Sequence, residues 1–89
     1  MLYNIVWTEK AVNEYTKLDK SVKNQIGKYL DKLKISDNPH SMGRPLSANL
    51  AGLWRYRVGD YRIVVEIKNF ELIILIVSIK HRSIVYRQI

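Results

Sequence analysis

Arg55, Arg57 and Arg62 stand close together in this chain, and Lys80, His81, Arg82, Tyr86 and Arg87 follow near its end. A guanidinium fork matches a phosphate bidentately, so a cluster of this kind reads first as a phosphate holder. Cations, one histidine and two aromatics together suit metal-free RNA cleavage. In that reaction the substrate's own 2′-OH attacks the adjacent phosphate, and the protein supplies neither nucleophile nor metal. The arginines stabilise charge building on the phosphate oxygens. Arg55, Arg57 and Arg62 are the candidates for that work. Arginine is a poor general base because its pKa lies above about 12. His81 is the nearby side chain whose ordinary pKa suits proton transfer near neutrality. Tyr86 can stack on a base or assist a proton. Arg44, Lys80 and Arg87 extend the cationic surface as RNA-binding candidates.

The stretch Leu53–Val65 must position the three arginines. It reads as two alternating strands joined by Gly59-Asp60, a dipeptide that supplies the positive φ angles of a tight hairpin. A two-residue loop sets the register: Val58 opposite Tyr61, Arg57 opposite Arg62, Tyr56 opposite Ile63, Arg55 opposite Val64. Alternation puts Trp54, Tyr56, Val58, Tyr61, Ile63 and Val65 on one face and Arg55, Arg57 and Arg62 on the other. Like charges directly opposite one another destabilise a sheet. The pattern makes sense when an anion occupies that face. A single strand arginine is commonplace; the shared face carries the argument. His81 also fits an ordinary surface histidine, and Tyr86 a tyrosine packed on a sheet edge.

The remaining composition narrows the classes. With 89 residues, 47% of them hydrophobic, and six tyrosines, the chain reads as one ordered domain spanning residues 1–89. It has no cysteine, which excludes disulfides and cysteine–zinc sites. Fifteen basic against eight acidic residues give a net charge of +7, a balance that favours polyanionic partners. No apolar run approaches the ~20 residues of a spanning helix, and the start of the chain carries polar residues where a signal peptide needs apolar ones. A cytoplasmic protein with no membrane partner is expected. Scattered glycines, two distant histidines and no close acidic pair argue against a phosphate loop, a metal site and glycosidase chemistry.

Along the chain, Leu2–Thr8 predicts a first strand with Tyr3, Ile5 and Trp7 on one side. Thr8 is placed to cap a short helix over Glu9–Leu18. A second helix starts at Asp19 or Ser21, with Val22, Ile26, Leu30 and Leu33 as its apolar stripe. Its lysines (Lys20, Lys23, Lys28, Lys32, Lys34) lie mostly off that stripe and read as a solvated face. Gly27 costs this helix about 1 kcal/mol against alanine, which a close approach of the first helix would explain. Asp37-Asn38-Pro39 ends it, and a loop carrying His40 and Arg44 runs to Gly52. After the hairpin and a turn near Asn69, Leu72–Val77 is apolar at both parities. That predicts a central strand covered on both faces. The order gives an α+β, two-layer β-α-α-β-β-β sandwich with both helices on one face of a small, mostly antiparallel sheet.

The run Gly52-Leu53-Trp54-Arg55-Tyr56-Arg57-Val58-Gly59-Asp60-Tyr61-Arg62-Ile63 closely resembles the signature hairpin of the RelE/ParE toxin superfamily of type II toxin–antitoxin systems. Lys80-His81-Arg82-Ser83-Ile84-Val85-Tyr86 is similar to the ending of its RelE branch, and Pro45-Leu46 with Leu50 and Gly52 to the approach to the hairpin. The resemblance implies a ribosome-dependent endoribonuclease that cuts mRNA in the ribosomal A site and leaves a 2′,3′-cyclic phosphate. It implies that Arg62 and Arg82 hold phosphate and that Tyr86 is the terminal functional tyrosine. Arg55 and Arg57 depart from the family, whose best-described members carry lysines there; His81 then becomes the substitute proton-transfer candidate. A RelB-like antitoxin with an acidic toxin-binding segment is the implied partner, beside ribosome and mRNA. Two alternatives stay open: a ParE-like inhibitor of DNA gyrase, and a non-catalytic RNA-binding module.

Overall fold

The computed structural model describes residues 2–83. Its elements run β1 (Asn4–Trp7), α1 (Glu9–Thr16), α2 (Lys20–Lys34), β2 (Arg44–Pro45), β3 (Leu53–Val58), β4 (Tyr61–Lys68) and β5 (Ile73–His81), with short 3-10 turns between several of them. The five strands form one sheet in the order β1-β5-β4-β3-β2. β1 pairs parallel with β5, and the other pairings are antiparallel. This is the α+β architecture that the sequence predicts, with one strand more. β2 falls where the sequence predicts a loop, since two residues carry no periodicity to read.

Helix boundaries follow their caps. Thr8 Oγ accepts from the Ala11 amide at 3.1 Å, and the same hydroxyl lies 3.1 Å from the Ile76 carbonyl, which ties the start of α1 to β5. α1 closes at Thr16, two residues before the expected end, as Leu18 N–H donates to the Tyr15 carbonyl. α2 buries Ile26, Leu30 and Leu33. These meet Tyr56, Val58, Ile63, Val65, Ile74, Ile76 and Ile79 of the sheet in one core, with Ala11 and Tyr3.

The hairpin register matches the sequence reading at Val58–Tyr61, Arg57–Arg62, Tyr56–Ile63 and Arg55–Val64. In its loop only Gly59 takes a positive φ, 57°, so Asp60 needs no left-handed conformation and the loop resembles the II′ class.

Two expectations change. A side-chain carbon added at Gly27 would meet nothing within 4 Å, so no close helix approach explains this glycine. β5 lies inside the sheet but is covered unevenly: Ile74, Ile76 and Ile79 are buried on the core side and Ser78 on the other, whereas Ile73, Leu75 and Val77 are half-buried. β5 also carries a bulge. Val64 pairs with Ser78 while Val65 pairs with Ile76, leaving Val77 as the extra residue.

Candidate nucleic-acid interface

The sheet sorts its charges by parity. Cross-strand neighbours share a face. Arg44 pairs with Arg55, Arg57 with Arg62, and Arg62 with Lys80. Five cationic side chains from four strands therefore stand on the face turned away from the core. Arg44, the residue expected on a loop, joins the set because β2 pairs it with Arg55. Together with Ser41, Met42, Gly43 and Pro45, four of these arginines line a concavity of about 570 Å³, and no carboxylate of the described residues lines it.

Gly43 permits that arrangement. A side-chain carbon there would lie 2.7 Å from the Arg55 carbonyl oxygen and 2.8 Å from the Tyr56 ring. Only a residue without Cβ lets the chain run this close to β3 before pairing at Arg44. Beneath it, the buried Tyr56 hydroxyl donates to the Pro39 carbonyl at 2.6 Å and fixes the preceding turn. Burial, reinforced by neighbouring Tyr29 and Tyr3, raises the Tyr56 pKa well beyond its ordinary value, so the phenol stays protonated as a donor.

Arg62 is the buried member, 7% exposed. Its Nη1 donates to the carbonyls of Gly59 at 3.0 Å and Tyr61 at 2.9 Å, which locks the guanidinium against the hairpin loop. Arg82 reaches the same loop from the end of β5. Its backbone N–H donates to the Asp60 carbonyl at 2.8 Å, and its Nε lies 3.9 Å from the exposed Asp60 carboxylate. Arg62 and Arg82 thus converge on Gly59-Asp60.

Lys80 has a partner that the sequence did not suggest. Glu14 of α1 forms an ion pair with it, accepts the Ile79 N–H at 2.9 Å and lies 3.3 Å from the Ser78 hydroxyl. β1 ends at Trp7, opposite Ile76, so β5 has no neighbouring strand on that side beyond this point among the described residues. Glu14 takes over. Burial works against its charged form, yet the Lys80 and Ile79 hydrogen bonds and the charge of Lys10 outweigh that and lower its pKa. In sequence Glu14 is one more polar position of a short helix, with no signal for this task.

His81 is not brought to the arginine face. It pairs with Tyr61, whose side belongs to the core, and the two rings meet edge to face at 5.4 Å. Its Nδ1 lies 2.9 Å from Ser83 Oγ. The bulge at Val77 sets this parity by placing Lys80 beside Arg62 and turning the next residue to the other side. His40 is also elsewhere, edge-on to Trp54 at 4.7 Å. Tyr86 and Arg87 lie outside the described residues. Among those described, no three His, Asp or Glu side chains stand together as a metal site. No helix among them is long and apolar enough to cross a membrane.

Comparison with known proteins adds to this geometry. Residues 5–86 match the family described as the ParE toxin of the type II toxin–antitoxin system parDE. The chain belongs to this toxin family. A RelE-like toxin protein of Escherichia coli is 34% identical over 93 residues, covering 97% of this chain and 92% of that one. Toxin RelE of Mycobacterium tuberculosis is 42% identical over 53 residues, 60% of this chain and 55% of the relative. Among solved structures, the RelBE2 toxin–antitoxin complex of M. tuberculosis is similar with a TM-score of 0.83 at 25% identity, covering 93% of this chain and 94% of that one. A mutant of E. coli toxin RelE in the free state shares the fold, with a TM-score of 0.77 at 19% identity over 97% of this chain and 90% of that one. The toxin thus carries a ParE family description and RelE-named relatives.

Proposed function

We propose that this toxin is a RelE-type endoribonuclease that cuts mRNA on the ribosome and so inhibits translation. One observation supports the reading best: Arg44, Arg55, Arg57, Arg62 and Lys80 share a sheet face around a concavity that no described carboxylate lines. That site suits a phosphodiester whose own 2′-OH is the nucleophile. Attack on phosphorus forms the 2′,3′-cyclic phosphate and expels the 5′-oxygen, which takes up a proton. Arg55, Arg57 and Arg62 would hold the non-bridging oxygens as their charge grows, and Arg82 would reach the same phosphate from the loop side. Arg44 and Lys80 would track neighbouring phosphates. Tyr86 and Arg87 keep the roles of base stacking and RNA binding as proposals from sequence, whereas His81, packed on Tyr61 away from the arginine face, is not assigned the proton transfer. The chain would act as a single cytoplasmic domain, without a metal, and be held inactive by a RelB-like antitoxin whose acidic segment covers the cationic face.

The ParE family description favours a second reading, inhibition of DNA gyrase by protein contact. Primer extension on a reporter mRNA after brief induction separates the two. Discrete cuts confined to translated codons, lost when translation is blocked and lost in R62A and R82A, are expected. No cuts, with growth arrest and DNA damage intact in those variants, would overturn the nuclease reading.

A further inference from the structure

A second concavity, of about 280 Å³, lies between α2 and the end of β3. Lys28, Lys32, Tyr29 and Gln25 line it from the helix, and Arg57, Val58 and Gly59 from the sheet. Arg57 belongs to both concavities, so the two adjoin around one side chain. The geometry permits this because β2 pairs with β3 only at Trp54 and Arg55. From Tyr56 to Val58 the strand is a sheet edge among the described residues, and a bound chain can pass over it from the arginine face to α2.

The lysines of α2 are not equivalent here. Lys23 sits over the Tyr15 ring at 5.8 Å. Lys20, at the helix start, and Lys34, at its end, line neither concavity. Lys28 and Lys32, one turn apart and exposed, face the same cleft. Neither forms an ion pair among the described residues. Gln25 lines the cleft beside the hairpin loop, and its amide would lie 3.1 Å from a side-chain carbon at Gly59. Three cations and a carboxamide donor, with no carboxylate among the described lining residues, make a polyanion subsite.

We propose that this cleft binds the backbone phosphates of the same RNA strand held on the arginine face, with Arg57 as the shared contact. The inference rests on the nuclease reading and extends it: the protein grips its RNA at the reacting phosphate and again, beyond the β3 edge, on α2. A flanking grip supplies affinity and register without touching the reacting atoms.

Binding of the full chain to a 2′-O-methyl single-stranded RNA of about 12 nucleotides tests this, since that RNA lacks the attacking hydroxyl and its length lies within known single-strand site sizes. The double variant K28Q/K32Q should bind about tenfold more weakly, and its dependence on log salt should flatten by about 1.4, two single-strand phosphate contacts at about 0.7 each. The control K17Q/K20Q removes the same charge away from the cleft and should lose less than about threefold with its salt slope kept. Thermal melts should show both pairs folded. Equal losses in the two pairs, or none in K28Q/K32Q, overturn the assignment. Unchanged RNA affinity with weakened binding to polyglutamate would give the cleft to an acidic protein partner instead, and a wild-type chain with no affinity for this RNA also overturns it. Failure of the nuclease reading looks different: R62A then still arrests translation, whatever the lysine pair does.

Discussion

Arg62 and Lys80 face one another across β4 and β5, yet each is held by a different part of the chain. Arg62 turns to the Gly59 and Tyr61 carbonyls, and Lys80 to Glu14 of α1. Two like charges in direct opposition are thereby tolerated without a bound anion, and the face is held ready for one. Arg62 then has two jobs, which one pair of variants separates. R62A should lower cleavage about 10²–10³-fold and also destabilise the fold by about 1–3 kcal/mol, because two loop carbonyls lose their donor. R57A removes an exposed arginine and should lower cleavage while shifting stability by less than about 0.5 kcal/mol. Melting curves beside primer extension check both.

His81 makes the contrasting case. Its ring packs on Tyr61 on the core side of the sheet, so H81A should reduce cleavage by less than about tenfold, below the range usual for a general acid or base. A larger loss, accompanied by disappearance of one limb of the pH–rate profile, would give His81 the proton-transfer role that the sequence suggests.

The hairpin was legible residue by residue because a two-residue loop and strict alternation leave one register. His81 and Lys80 were not, because one extra residue, Val77, reverses the parity of all that follows, and a bulge inside an apolar run has no compositional mark. Arg44 was identified as a cation, but its place on the arginine face depends on a two-residue strand too short for any period. Glu14 was invisible for another reason: its role comes from where β1 stops relative to β5, a fact of tertiary structure. The solvated reading of the α2 lysines treated as alike positions that the β3 edge divides.

Gly43 carries the approach to the site, and G43A tests it. The added methyl would sit against the Arg55 carbonyl and the buried Tyr56 ring, neither of which has room to move. Forcing it in should cost about 1–3 kcal/mol and disturb the Arg44–Arg55 pairing. Denaturant unfolding should show the loss, and RNA affinity should fall with it. Unchanged stability would mean that β2 does not run against β3 as described.

Gly27 predicts the opposite sign. The position is helical and a side-chain carbon would meet nothing, so G27A should stabilise by about 0.5–1 kcal/mol through helix propensity and a smaller unfolded ensemble. Destabilisation in the same unfolding experiment would place an unseen neighbour against α2.

Glu14 gives the pH dependence. Its carboxyl titrates below the ordinary value of 4.5 in the fold, so the folded chain favours the charged form more than the unfolded chain does. The resulting stabilisation is fully present above the unfolded pKa and is lost as pH falls through the lower folded one. Wild-type stability should therefore decline on acidification below about pH 5, and E14Q, uncharged throughout, should decline less steeply while starting lower at pH 7. Lys80 separates clasp from charge. K80Q should also flatten the acid limb, since it removes the chief hydrogen bond that lowers the Glu14 pKa, but it leaves the Ile79 N–H capped by the carboxylate. Amide exchange at Ile79 should accordingly stay protected in K80Q and quicken in E14A. Equal protection in the two variants would show that the end of β5 is held without Glu14.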